Sequence, residues 1–270
     1  EAHGIVGDVL KWISDWTRGR IQRVVLNGVS SNWAEVISSV VQGSVLGPIL
    51  FIVYINDIDL AMNDHYTKIF KYANDSKIGR AIHTQSDAVA LQDDLDKVWE
   101  WSNKWGMDIH PLKTCVIHFG YYNQKFDYHL NGTKITKVTS AKDLGVKIND
   151  SCSPSDHVID ITRKANGVLS QLHRTIISRN SDVVVNLFKV FVRPILESAG
   201  PSWSPHEKQL IDQIEKIQRR ATRMISGIGH LEYEDRLKHC RLPTLEQRRV
   251  RGDLIHVYKM LNGFLHVNSG

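Results

Sequence analysis

The residues best equipped for chemistry fall in three places. Tyr72-Ala73-Asn74-Asp75 sets an amide beside a carboxylate where turn-forming residues separate two short apolar runs. A turn presents consecutive side chains at its tip while the flanking strands fix their direction. The same two side chains can instead serve only the turn, through Asx-type hydrogen bonds. Gln42-Gly43 is the second place. The glycine lets a base or phosphate approach the backbone, and the glutamine donates and accepts hydrogen bonds; equally, the pair could merely turn the chain toward Pro48. The third is a basic stripe: Lys216, Arg219, Arg220 and Arg223 share one helical face, with Ile211, Ile214 and Ile217 toward the other. Such a face can meet a phosphate backbone while its apolar side packs. Arg248, Arg249 and Arg251 form a second cluster. Alone, Lys113 reads as a surface lysine and Leu144-Gly145 as an ordinary turn.

The elements that must position these residues follow from periodicity. Val9, Trp12, Ile13 and Trp16 predict a short amphipathic helix. Strands over 22–27 and 33–40 form a hairpin around Asn27-Gly28. Gly47-Pro48 opens a dense apolar stretch to Asp59, which predicts a buried helix. Short strands over 69–72 and 77–82 flank the Asn74 turn. From Ser86 a longer helix runs to Gly106, with Val89, Leu91, Leu95, Val98, Trp99 and Trp105 as its apolar face. A strand is expected over 114–119, and a hairpin over 126–138 around Asn131-Gly132. After a Ser/Pro-containing connector at 151–156, helical period prevails over 157–178, 182–197, 205–226 and 245–263. Trp203 is expected in the core. This places a boundary near residue 150, between an α+β module and a basic helical one.

At 270 residues with 42% hydrophobic content, the chain can bury a substantial core in one large or two modest domains. The longest apolar run, Val45 to Ile55, is interrupted by Gly47 and Pro48 and falls well short of the roughly 20 residues that span a bilayer. A soluble chain without membrane partners is expected, and no secretory signal opens it. Cys115, Cys152 and Cys240 are too few and too scattered for a disulfide framework or a structural zinc site, which suits a reducing compartment. Residues 155–260 carry 18 Lys and Arg against 12 Asp and Glu, so the net charge of +5 belongs to the C-terminal part. That distribution fits a polyanionic partner or, more blandly, a set of solvated helix faces.

Read in order along the chain, the motifs resemble one family. They are Val41 through Pro48, Phe51 through Asp57, Tyr72-Ala73-Asn74-Asp75, Leu91 through Leu95 with Trp101-Ser102, Lys113-Thr114 and Lys142 through Val146. In the basic part come Val192 through Glu197, Trp203-Ser204-Pro205, Gln218 through Thr222, Arg248-Arg249 and Asp253-Leu254-Ile255. Together they are similar to the reverse transcriptases of LINE-like, non-LTR retrotransposons of the jockey type. The resemblance implies an α+β fold: an N-terminally truncated palm over 1–150, an antiparallel sheet with helices, followed by a basic helical thumb over 151–270. It implies an RNA-directed DNA polymerase that adds dNTPs to a DNA primer on an RNA template by two-metal phosphoryl transfer with Mg2+ or Mn2+, inside the cell, in nucleus or cytoplasm.

By the same resemblance, Asn74 and Asp75 occupy the metal-binding turn, with Asp75 a metal ligand. Lys113 matches a palm lysine near the leaving phosphate. Gln42 and Gly43 match template and nucleotide contacts, and Leu144-Gly145 the primer-grip turn. Lys216, Arg219, Arg220, Arg223, Arg248 and Arg249 match the duplex contacts of the thumb. Three departures stand out. The family's turn reads aromatic-Ala-Asp-Asp, so Asn74 replaces a charged ligand with a neutral amide; the early palm aspartate has no counterpart; and Val41 stands where the family commonly has proline. Metal catalysis is worth several kcal/mol and each 1.36 kcal/mol is tenfold in rate, so a loss of about two decades or more is expected. The alternative expectation is a non-catalytic nucleic-acid-binding remnant or domesticated protein.

Overall fold

The computed structural model describes residues 4–62 and 66–265. Its helices are α1 (Gly7–Thr17), α2 (Leu46–Ile55), α3 (Gln85–Trp105), α4 (Ser155–Thr175), α5 (Ser181–Leu187), α6 (Arg193–Glu197), α7 (Lys208–Arg223), α8 (Tyr233–Cys240) and α9 (Leu245–Leu261). The strands are β1 (Ile21–Gln22), β2 (Val25–Leu26), β3 (Val29–Ser30), β4 (Ala34–Glu35), β5 (Lys68–Tyr72), β6 (Asp75–Gly79), β7 (Cys115–Val116), β8 (His129–Leu130), β9 (Thr133–Lys134), β10 (Thr136–Lys137), β11 (Ser140–Asp143) and β12 (Val146–Asn149). The class is α+β, as expected. The strands do not join into one sheet: among the described residues they form two-stranded pairs, all antiparallel except β7 with β10.

Two compact units result. One comprises Glu1–Thr114 and Phe126–Ile135, the other Cys115–Lys125 and Thr136–Gly270. Residues 136–150, expected with the first module, therefore belong to the second unit. The connector near 151 is a tight turn rather than a loose linker: Asn149 is buried, and its Oδ1 accepts from the Ser153 backbone N–H (2.9 Å) and the Ser151 hydroxyl (3.0 Å).

In the first unit, a small core gathers Ile55, Ile58, Val98 and Trp101, with Ile69 and Ile78 of the β5–β6 hairpin packed against it. Helix α3 starts with a reciprocal capping box. The Thr84 hydroxyl accepts from the Asp87 N–H, and the Asp87 carboxylate accepts from the Thr84 and His83 N–H groups (2.8 and 3.0 Å). Those donors, the Thr84 backbone foremost, hold the Asp87 carboxyl at about 2. Gly106, at φ 66°, closes the helix as expected. Its buried stripe is Ala88, Leu91, Asp94, Val98, Trp101 and Ser102, whereas Val89 and Trp105 are exposed. Helix α2 is the larger correction. It was expected to be buried, yet Ile49 and Ile52 are exposed and only Gly47 and Ile55 are buried. A helix apolar on every side needs partners on every side, and within its unit only one side is covered. Nothing from residue 4 to residue 46 is buried, so α1 and the β1–β4 segment add nothing to this core.

The second unit is the better packed. Val158, Ile161, Ala165 and Leu169 line one face of α4 and meet Phe188, Val192, Leu196, Leu210, Ile214, Ile217, Ala221 and Leu245. Trp203 is buried there as expected, its Nε1–H donating to the Ser198 carbonyl (2.8 Å). The expected helix over 182–197 runs through Pro194 because residues Phe188–Val192 widen into a π turn, where Arg193 N–H reaches the Phe188 carbonyl. That extra residue accommodates the proline ring and its missing donor. Helix α8 was not expected: it is short, mostly charged, and lies between Gly227-Ile228-Gly229 and Pro243.

A buried polar network ties α7, α8 and α9. Glu215 accepts from the Leu245 N–H at the start of α9 (2.9 Å) and from the Tyr233 hydroxyl of α8, while Gln218 donates to the Pro243 carbonyl (2.9 Å). Burial, reinforced by the Glu215 carboxylate, pushes the Tyr233 phenol far up. Removing one member of such a network leaves the others buried and unpaired. Glu215→Ala should therefore destabilise the chain by about 3–5 kcal/mol, against about 1 kcal/mol or less for the exposed neighbour Lys216→Ala, both measured by urea denaturation.

Candidate functional site

The Asn74 turn is where the sequence placed it. Tyr72 pairs with Asp75, so Ala73 and Asn74 are the two residues of a tight β-hairpin loop and Asp75 begins β6. Ala73 adopts φ 51°, in the left-handed region that a non-glycine residue enters at a cost of about 1–2 kcal/mol. The hairpin is fixed from its inner face by Ile69 and Ile78, a cross-strand pair on the core, while Phe70 and Tyr72 point outward and are exposed. Among the described residues, neither Asn74 nor Asp75 makes a side-chain hydrogen bond or ion pair, so both side chains are available at the tip.

The nearby carboxylates are committed elsewhere. Asp57 accepts the Trp101 indole N–H (3.1 Å), and Asp59 pairs with Lys71 (2.8 Å), which also donates to the Asn56 carbonyl. Among the described residues, no three His, Cys, Asp or Glu side chains are grouped to hold a metal ion. A pair of dications held by hard, charged oxygen ligands does not fit a turn that offers one carboxylate and one neutral amide.

Gln42 and Gly43 lie in an exposed turn leading into α2. Gly43 has φ 81° and open space where a Cβ would stand, so its backbone is approachable. Ser44 anchors the turn, its hydroxyl donating to the Val41 carbonyl (2.7 Å) and accepting from the Gly47 N–H (3.0 Å). A Cβ on Gly47 would sit 2.9 Å from that hydroxyl oxygen, which explains the glycine. Lys113 ends a short 3-10 turn, Pro111–Lys113, and is exposed without a side-chain partner among the described residues.

In the second unit, Leu144 and Gly145 form the loop of the β11–β12 hairpin at φ 45° and 92°. Leucine is a poor choice for that region. Both hairpins that carry candidate residues thus keep a non-glycine residue where glycine would be less strained. The sequence analysis missed what holds β11–β12. His157 of α4 is buried against Trp203, ring centroids 4.9 Å apart, and its Nδ1 accepts the Lys147 N–H of β12 (3.1 Å). Burial lowers its pKa; the charge of Asp160 opposes this, and Lys164 and Lys142 reinforce it. A histidine two residues past Ser155, opening a long apolar stripe, was the available signal.

The basic residues divide. Lys216, Arg219, Arg220 and Arg223 are all exposed on one face of α7, opposite the buried Ile214, Ile217 and Ala221. Arg220 also bridges to Asn166 (3.0 Å) and Ser170 (3.1 Å) on α4, and Arg219 lies over the Tyr233 ring at 4.8 Å. The α9 cluster is different. Arg248 makes a two-pronged ion pair with Glu197 (2.5 and 3.0 Å), and Arg249 is buried, its pKa lowered by burial. These two arginines serve the unit's interior, and the cationic surface belongs to α7.

The family model for reverse transcriptase (RNA-dependent DNA polymerase) matches residues 2–148. The chain belongs to that family. Among curated proteins it is 24% identical over 248 residues to the RNA-directed DNA polymerase from mobile element jockey of Drosophila melanogaster, covering 86% of this chain and 27% of the relative. The jockey polymerase of Drosophila funebris is 25% identical, with 80% and 25% covered, and the probable RNA-directed DNA polymerase from transposon X-element of D. melanogaster is 24% identical, with 80% and 24% covered. The chain spans about a quarter of the length of those relatives. No solved structure matches it. No helix among the described residues is long and apolar enough to cross a membrane.

Two outcomes follow from the turn and from His157. Ala73→Gly should stabilise the chain by about 0.5–1 kcal/mol by relieving the left-handed alanine, read as a shift of the urea midpoint; an unchanged or lower midpoint refutes the strain. Burial favours the neutral His157 ring, so the unfolded chain takes up the proton more readily below the ordinary value of 6.5. The stability this ring contributes is complete above that pH and lost as pH falls through the lower folded value. The wild-type chain should then weaken more steeply than His157→Gln between about pH 7 and 5.

Proposed function

We propose that the chain is the palm and thumb portion of a jockey-type reverse transcriptase, residues 1–150 the palm and 151–270 the thumb, that holds an RNA–DNA duplex and performs polymerisation weakly or not at all. The exposed cationic face of α7 carries the binding half of this reading. Four side chains on one face of a helix whose other face is packed can follow successive phosphates without reading sequence. The family supplies the identity of the partners, an RNA template, a DNA primer and dNTPs.

Asn74 carries the catalytic half. In the family the turn residues and an upstream carboxylate hold two Mg2+ or Mn2+ ions, which activate the primer hydroxyl and neutralise the leaving phosphate. Here the turn lacks one of the charges, and its residues do not match the ligand set that two dications need. In this reading the exposed turns at Gln42-Gly43 and Leu144-Gly145 offer backbone to nucleotide and primer, and Lys113, without a side-chain partner among the described residues, offers a cation to a phosphate. The second reading, a protein that binds nucleic acid without catalysis, is favoured by the same substitution. The expected location is intracellular, in nucleus or cytoplasm.

Purified chain with Mg2+ should give no measurable primer extension on an RNA template, and robust dNTP incorporation would overturn the reading of Asn74. Binding to an RNA–DNA hybrid should persist, with log K falling against log salt at a slope of about −3 to −4 for four phosphate contacts. Arg219→Ala with Arg220→Ala should reduce that slope by about two without altering sequence preference. Salt-independent affinity, or a slope untouched by the double substitution, would remove the duplex face from the account.

A further inference from the structure

A cleft of about 820 Å3 opens in the second unit, away from the residues the family resemblance singles out. It is lined by the start of α5, the end of α8 and Ser226. Three permanent cations face it, Arg179, Lys189 and Arg241, against a single acid, Asp182. The side chains of Lys189 and Arg241 have no hydrogen bond or ion pair among the described residues. Arg179 is fastened in place: its Nη1 donates to the Ile176 carbonyl and its Nη2 to the His173 carbonyl, each at 2.6 Å. Those neutral acceptors fix the guanidinium while leaving its charge uncompensated.

A second observation points the same way. Arg241 follows the last residue of α8 at φ 51°, the left-handed position where a helix ordinarily ends on glycine. Its backbone N–H makes the closing bonds to Leu237 and Lys238, and its side chain lines the cleft. The rest of the lining is mixed: Asn180, Asn186, Ser181 and Ser226 are polar and uncharged, beside His239, Cys240 and Val185. There is no Phe, Tyr or Trp in it, so no platform on which a base could stack. The volume exceeds that of one phosphate and approaches the upper end of small-ligand sites, roughly 300–1,000 Å3.

We infer that this cleft binds the phosphodiester backbone of a single nucleic-acid strand, through Lys189, Arg241 and the fixed Arg179, without reading its bases. Net positive charge selects an anion, polar uncharged groups suit phosphate and sugar oxygens, and the lack of aromatic rings makes recognition indifferent to sequence. Its cations are not those of the α7 face, so loss of duplex binding there would leave them in place.

The test uses the full chain and a fluorescent thymidylate oligomer of about twelve nucleotides, which stays single-stranded because thymine has no complement in it. Anisotropy should show salt-dependent binding, with a slope of about −0.7 per phosphate contact. Lys189→Gln with Arg241→Gly should weaken it about tenfold at low salt and reduce the slope by about 1.4. Arg241→Gly relieves the strained backbone, so a thermal midpoint at or above that of the wild type shows that the variant remains folded. Lys216→Gln with Arg219→Gln should weaken RNA–DNA hybrid binding more than oligomer binding. The inference is overturned if the oligomer does not bind, if the Lys189/Arg241 variant binds it as well as the wild type does, or if the α7 variant abolishes its binding. It is equally overturned if inorganic pyrophosphate binds with the Lys189/Arg241 dependence and the oligomer does not, since the cleft would then hold free phosphates rather than a strand.

Discussion

The second unit is organised around one buried charge. Glu215 sits inside α7 with its carboxylate turned inward, where it satisfies the first backbone N–H of α9 and the hydroxyl of Tyr233. A carboxylate at a helix N-terminus answers both the unpaired N–H groups and the positive end of the helix dipole. That one group fixes where α9 begins and how α8 lies. Turning Glu215 and Gln218 inward leaves Lys216, Arg219 and Arg220 facing outward by helical geometry alone. The cationic face of α7 is therefore the other side of a packing decision, and it persists only while the network holds.

The α9 arginines show the same logic in reverse. Arg248 and Arg249 look like a surface pair in sequence, yet one is clamped by Glu197 and the other enters the interior near Glu215, Glu246 and Glu197, whose charges favour its protonated form. Their positive charge faces the half-buried Glu197 and the buried Glu215. Outside this unit, the Asn74 hairpin rests on a much thinner foundation: Ile69 and Ile78 packed on a core of four buried residues. A catalytic centre needs its reactive groups held closely in place, and this turn has fewer supports than the cationic helix of the other unit.

Local chemistry was legible in the sequence where a single short pattern decides it. Asn27-Gly28 and Asn131-Gly132 both form two-residue hairpin loops with positive φ at each position, and Gly106 ends α3. Trp203 and the apolar stripe of α4 were readable as core. What failed depended on partners far along the chain. The extent of α2 was clear but not its exposure, because burial depends on what covers the helix. The face of α3 was drawn one residue aside, since Val89 and Ala88 both fit a helical stripe and only the tertiary core chooses between them. The fate of Arg248 depended on a glutamate 51 residues away. Helix α8 was hidden by the brevity of its pattern. At the candidate site the residue types were legible, while their supports, His157 under β12 and Ser44 under Gly43, appeared only with the fold.

The unburied stretch from residue 4 to residue 46 bears on how the Gln42-Gly43 turn works. Its strand pairs are two residues long and rest on no core, so its amides belong to the low-stability end of the molecule and should exchange with solvent through local opening that leaves α3 closed. A ligand that needs this turn in one shape meets only the fraction of molecules that hold it, and its apparent affinity is reduced by that fraction. Whatever covers the exposed valines and tryptophans of this stretch would raise the competent fraction and tighten binding at Gly43 without touching the ligand. Affinity at the turn is thus set in part by the ordering of the segment that leads into it.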